Sequence, residues 1–177
     1  MRRYLRLYLY FLRFSFSRAM EFRVDFFFRI GMDIVWNVVH LTFFTLVFRQ
    51  VGLLAGFDRD QIYVFVGAMF VVDAVHMSVF SNNMWWLPIL VNRGDLDYYL
   101  VRPVSSLFFM SVRDFAANSF VNLLIAIGVL VWALARYPHP LGAGPLAFFL
   151  AMLGVGVFVQ YAIHMLFLIP VFWLHSA

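Results

Sequence analysis

Four stretches of this 177-residue chain are apolar for about the length of a membrane span, near residues 27–48, 61–82, 107–134 and 146–172. A helix of about 20 apolar residues crosses the roughly 30 Å hydrocarbon core of a bilayer. Inside lipid every backbone N–H and C=O must be bonded within its own element, so apolar runs of this length become helices. Composition agrees. The chain is 64% hydrophobic and 12% charged, where soluble domains carry roughly a quarter charged residues. Its mean hydropathy is +0.88. The expected fold is an all-α membrane protein, with residues 1–177 forming a single transmembrane domain.

Charge sets the orientation and excludes several functions. All 13 basic residues are arginine. A P-loop nucleotide site needs its lysine on the phosphates, so energy from ATP has to come from another subunit. Without cysteine there are no disulfides, Fe–S clusters or Cys zinc sites. Seven arginines fall in the first 29 residues against Glu21 and Asp25, which accounts for most of the net charge of +4. Basic charge beside a first span is a topology and lipid-headgroup signal; no nucleic-acid partner is expected. Arg6 and Arg13 interrupt the apolar run of residues 2–23, and no small-residue cleavage site follows, so it is not a signal peptide. On a helical wheel Arg2, Arg3, Arg6, Arg13, Ser17 and Glu21 share one arc, opposite Leu5, Tyr8, Phe11, Leu12, Ala19 and Phe22. That predicts an amphipathic helix lying in the interface, with the N-terminus cytoplasmic.

Polar residues recur inside the spans. Asp33, Asn37 and His40 share a face of the first, Asp73 and His76 a face of the second, and Asn118 and Asn122 lie one turn apart in the third. A charge at the bilayer centre costs about 2.5–3.5 kcal/mol on insertion scales. Asp33, Asn37, Asp73, His76, Asn118 and Asn122 are therefore candidates to line a translocation path. For Asp73 and His76, a local pair that fixes helix packing and a proton relay stay open. The fourth span carries Gly154, Gly156, Gln160 and His164. Its glycines permit close approach but do not form a GxxxG motif. The five histidines have no metal-binding spacing, so no metal is expected.

Residues 89–105 (ILVNRGDLDYYLVRPVS) are the most distinctive segment. Asn82, Asn83, Trp85, Trp86 and Pro88 mark the interfacial exit of the second span before it. Gly94 allows a turn, and Asp95 is expected to cap a short helix beginning at Leu96. Asp97 then sits in its first turn, and Pro103 stops it. Arg93 and Arg102 are placed to neutralise the two aspartates. The D-x-D pattern also admits a divalent-ion site. By alternation this segment lies on the same side as the N-terminus.

Asn92, Arg93, Gly94, Asp95, Leu96, Asp97, Leu100, Arg102 and Pro103 together resemble the N-R-G-D-L-D-x-x-L-x-R-P pattern of ABC-2 type permeases, in the branch of transport-system permease components. The arginine-rich interfacial helix before the first span is similar too. The resemblance implies six spans, a dimer of permease subunits (identical or not) and a separate cytoplasmic ABC ATPase that binds the ATP. It also implies that the chain itself needs no cofactor and is no enzyme. With four spans, and an end at Trp173–Ala177 on the lip of the last, the chain is expected to be a C-terminally truncated piece. The resemblance further implies that residues 89–105 and the interfacial helix dock on the ATPase, with Arg93, Gly94, Asp95, Asp97, Arg102 and Pro103 as coupling residues. The expected function is the permease subunit of an ATP-driven exporter in the cell membrane. The alternatives are a membrane-embedded enzyme acting on a lipid-linked substrate, with Asp95, Asp97 and Asp73 in its site, and a non-catalytic assembly subunit.

Overall fold

A computed structural model describes residues 2–21, 23–54, 56–101, 105–138 and 141–173. These form α1 (Arg2–Glu21), α2 (Arg23–Gln50), α3 (Arg59–His76), a π-helical turn (Met77–Ser81), α4 (Asn82–Asn92), α5 (Asp97–Leu100), α6 (Ser106–Val112), α7 (Ala117–Arg136), α8 (Ala143–Leu168) and a closing 3₁₀ turn (Ile169–Phe172). Four of the helical units are long and apolar enough to cross a membrane: Arg23–Gln50, Arg59–Asn92, Ala117–Arg136 and Ala143–Phe172. The protein is an all-α membrane protein, and no strand is present among the described residues.

The core is the seam between α3 and α7. Ile62, Val66, Phe70 and Ala74 repeat every four residues along α3 and meet Ala126 of α7, flanked by Leu123 and Val129; Leu130 and Ala133 of α7 are buried as well. Four-residue ridges of this kind interlock with a neighbouring helix. Gly67 sets the closest approach, since a Cβ there would lie 3.0 Å from the Leu130 Cα. Leu41, Phe44 and Phe48 of α2 cover one flank. No residue of α8 is buried. It touches α3 where Gly156 lies against Val72.

Two helices differ in extent from the expected ones. The polar and aromatic residues from Asn82 to Pro88 lie within the helix of the second span and do not end it. The helix runs unbroken from Arg59 to Asn92, 34 residues, and the Asn83 side chain within it is bonded to the backbone at Asp114 (below). At 1.5 Å per residue this helix is about 51 Å long, whereas a bilayer with its headgroups is about 40–45 Å thick. The third span divides at residues 113–116: Ser106–Val112 and Ala117–Arg136 are separate helices. At the other end of α3 a capping box fixes the start. Asp58 Oδ1 accepts from the Gln61 N–H at 2.9 Å, and Gln61 Oε1 accepts from the Asp58 N–H at 2.9 Å. Each bond satisfies a donor that the helix leaves open.

Candidate functional site

The break between α6 and α7 leaves buried backbone groups without helical partners, and such groups must be bonded elsewhere. Three elements supply the partners. Asn83 binds residue 114 twice: its Nδ2 donates to the Asp114 carbonyl, and its Oδ1 accepts from the Asp114 N–H, both at 2.7 Å. The Ala116 N–H donates to the Ser78 carbonyl at 3.0 Å. Ser78 lies in the π turn, where the wider i→i+5 winding displaces the carbonyls from their usual partners. The third partner is α1, which comes from nearly 100 residues away. Ser15 Oγ accepts from the Phe115 N–H at 3.1 Å and donates to Asp114 Oδ1 at 3.5 Å. Arg18 forms an ion pair with the same carboxylate, and Tyr8 meets Phe115 edge-on at 6.3 Å. Burial there pushes the Tyr8 phenol above its usual range. This polar hub fastens the interfacial helix to the two spans at the heart of the bundle. Composition and motif reading missed Ser15, Arg18, Ser78, Asn83 and Asp114. One signal was available: Tyr8, Phe11, Leu12 and Ser15 follow the i, i+3, i+4, i+7 spacing, so the Ser15 hydroxyl sits in the middle of the buried face of α1.

The polar residues within the spans fall into separate groups. Asn37 Nδ2 donates to Asn122 Oδ1 at 2.8 Å, joining α2 to α7. Asp73 accepts from Gln160 Nε2 at 3.3 Å, joining α3 to α8. One turn on, the His76 ring stacks on His164, centroids 5.1 Å apart at 16°. Asp73 and His76 thus turn to α8 and do not bond to each other. His76 is 1% exposed, and neither of its ring nitrogens has a hydrogen-bond partner among the described residues. Asp33 is half-buried and feels the charges of Asp73 and Arg29. Asn118 lies apart at the start of α7, donating to Ser119 Oγ at 3.4 Å. Among the described residues no three His, Asp or Glu side chains converge in a way that could hold a metal ion.

The segment after α4 differs from its expected form. Gly94 adopts φ 74°, a left-handed conformation that glycine takes without steric cost, and turns the chain. The short helix begins at Asp97, with Leu96 at the N-cap and no side-chain cap bond. Asp95 therefore does not cap with its carboxylate. Its backbone N–H is turned back to the Leu90 carbonyl at 3.1 Å, and its own carbonyl accepts from Tyr98 at 3.3 Å. Among the described residues, Arg93 forms no ion pair with Asp95 or Asp97; the ion pairs there are Arg18–Asp114 and Arg29–Asp25. Arg93, Gly94 and Asp97 are exposed, and beside them Tyr98 and Val101 present apolar surface, 74% and 85% exposed. Arg102 and Pro103 lie outside the described residues.

A bundle of spanning helices joined to an interfacial helix, with a charged tip on that same side, defines a polytopic membrane protein with a surface turned to the aqueous phase. The family model described as ABC-2 family transporter protein matches residues 34–177, and the chain belongs to that family. Membership implies association with an ABC ATPase in general terms. Neither a search of curated proteins nor one of solved structures returns a significant match.

Proposed function

We propose that this chain is the membrane-spanning subunit of an ATP-driven ABC-2 exporter. It lies in the cell membrane with its N-terminus cytoplasmic, and a separate ATPase subunit drives a pair of such permeases, identical or not. The chain carries no nucleotide, cofactor or catalytic centre of its own. The observation that carries this reading is the helix Arg59–Asn92, which is longer than the bilayer is thick and ends in the exposed turn at Arg93–Val101. A nucleotide-driven partner can shift the permease between two states only if it binds them differently. That requires a stiff, accessible contact joined to the spans. Arg93, Gly94, Asp95 and Asp97, followed by Arg102 and Pro103, supply charge for such a contact. The hub at Asp114 ties α1 to the same helix. Asp33, Asn37, Asp73, His76, Asn118 and Asn122 are assigned to the translocation path, which opens by alternating access or laterally to the bilayer.

The test is co-purification of the tagged protein in mild detergent with a Walker-A ATPase. An Arg93→Glu variant that keeps its helicity and thermal midpoint is expected to lose at least 90% of the bound ATPase. Retention at the level of the unaltered chain would remove the coupling role from this turn.

A further inference from the structure

A cavity of about 450 Å³ lies between α1, α2, the π turn and the start of α7, and the translocation-path assignment leaves it largely unexplained. Its depth is informative. Ser81 on its wall is about 33 Å along the helix from Arg59 at 1.5 Å per residue, close to the roughly 30 Å of the hydrocarbon core. The cavity thus sits at headgroup level, on the side of the interfacial helix. About half of its lining is polar, where lipid-facing surface would be apolar. Arg18, Arg29, Ser81, Asn82 and Asn118 face it, with Asp25 as the lone carboxylate. Ser81 is 4% exposed. Among the described residues the sealed polar atoms without a partner are the ring nitrogens of His76; the Ser81 hydroxyl and the Asn82 amide instead open onto the cavity, where a ligand can bond to them. Arg18 uses Nη2 on Asp114, and Arg29 uses Nε on Asp25. Each guanidinium has five N–H donors, so both keep donors for a tetrahedral oxyanion, the group that guanidinium recognises best. Trp85, 72% exposed, stands on the lip, and its amphipathic ring suits the boundary between acyl chains and headgroups.

We infer that this cavity binds the phosphate-bearing headgroup of a membrane lipid, its acyl chains leaving past Trp85 into the bilayer. The inference rests on the cavity alone and is independent of coupling to an ATPase.

The absence of native cysteine makes the test direct. A single-cysteine Ser81→Cys protein in detergent is modified with a water-soluble methanethiosulfonate reagent in the presence of three short-chain probes: dihexanoylphosphatidylglycerol, dihexanoylglycerol and glycerol 3-phosphate. The phospholipid is expected to slow modification at least tenfold, while the other two at equal concentration leave the rate unchanged. Adding Arg29→Gln is expected to remove most of the protection. An unchanged rate with the phospholipid, or equal protection by dihexanoylglycerol, overturns the headgroup site. Full protection by glycerol 3-phosphate overturns the lipid source in favour of a soluble phosphate ester. If the Ser81 variant does not fold, Asn82→Cys supports the same measurement with the same outcomes.

Discussion

At the residue scale, Asn83 shows how a polar side chain earns a place among apolar helices. Its amide closes both a donor and an acceptor on Asp114, at 2.7 Å each. Asn83→Ala leaves both backbone groups without partners at a point sheltered from water. A loss of about 1–3 kcal/mol is expected, read as a lower thermal midpoint in detergent together with faster tryptic cleavage at Arg13 and Arg18 as α1 comes loose. A midpoint equal to the parent's would mean that the break between α6 and α7 is satisfied in another way. Asn83 also has a role that the sequence does not reveal. Asn82 and Asn83 beside two tryptophans read as a span reaching the interface, and local composition cannot tell that the Asn83 amide is bonded to a backbone 31 residues away or that the helix continues to Asn92. Asp95 is a similar case. An aspartate after Gly-turn chemistry resembles a helix cap, but the helix starts one residue too late for its side chain to serve. The pairs Asn37–Asn122 and Asp73–Gln160 depend on which helices are neighbours, and spacing along the chain carries no such information.

At the element scale, the spans were readable because transfer into lipid depends on the total apolarity of a segment, a property of contiguous sequence. Close packing was less readable. The glycines of the fourth span attract attention, yet Gly67 in the second governs the central seam. With a Cβ at residue 67 placed 3.0 Å from the Leu130 backbone, α3 and α7 must separate or shift. Gly67→Val is expected to cost about 1–3 kcal/mol, as overpacked cores do, and to lower the thermal midpoint accordingly. The comparison variant is Gly128→Val, on the same pair of helices, where an added Cβ meets nothing within 4 Å; it is expected to lie near the parent. Equal effects at the two positions would show that the α3–α7 seam is not the tightest contact of the bundle.

At the scale of the whole molecule, α1 and the turn at residues 93–101 lie on one side of the membrane, while the loops around Gly52 and Gly142 lie on the other. Single cysteines at Gly52 and Gly142 are expected to react with a membrane-impermeant thiol reagent applied to intact cells. One at Ser105 is expected to react only after lysis. The opposite pattern would invert the molecule and place the charged turn away from any cytoplasmic ATPase. The arginine-rich start of the chain made this orientation the expected one, since six of the 13 arginines precede the first span in full.

The overhang of the long helix has a mechanical meaning. From the π turn to Asn92 the arm is about 16 Å long at 1.5 Å per residue, and the hub to α1 and the cavity both lie at its base. A tilt of about 10° at that base would sweep Arg93 sideways by about 3 Å, taking the arm as a rigid rod of that length. Read in reverse, under the coupling proposed above, a push of a few ångströms on the exposed turn would reach the membrane as a rotation of such a rod and hardly at all as a displacement. The base of the arm would then act as a fulcrum.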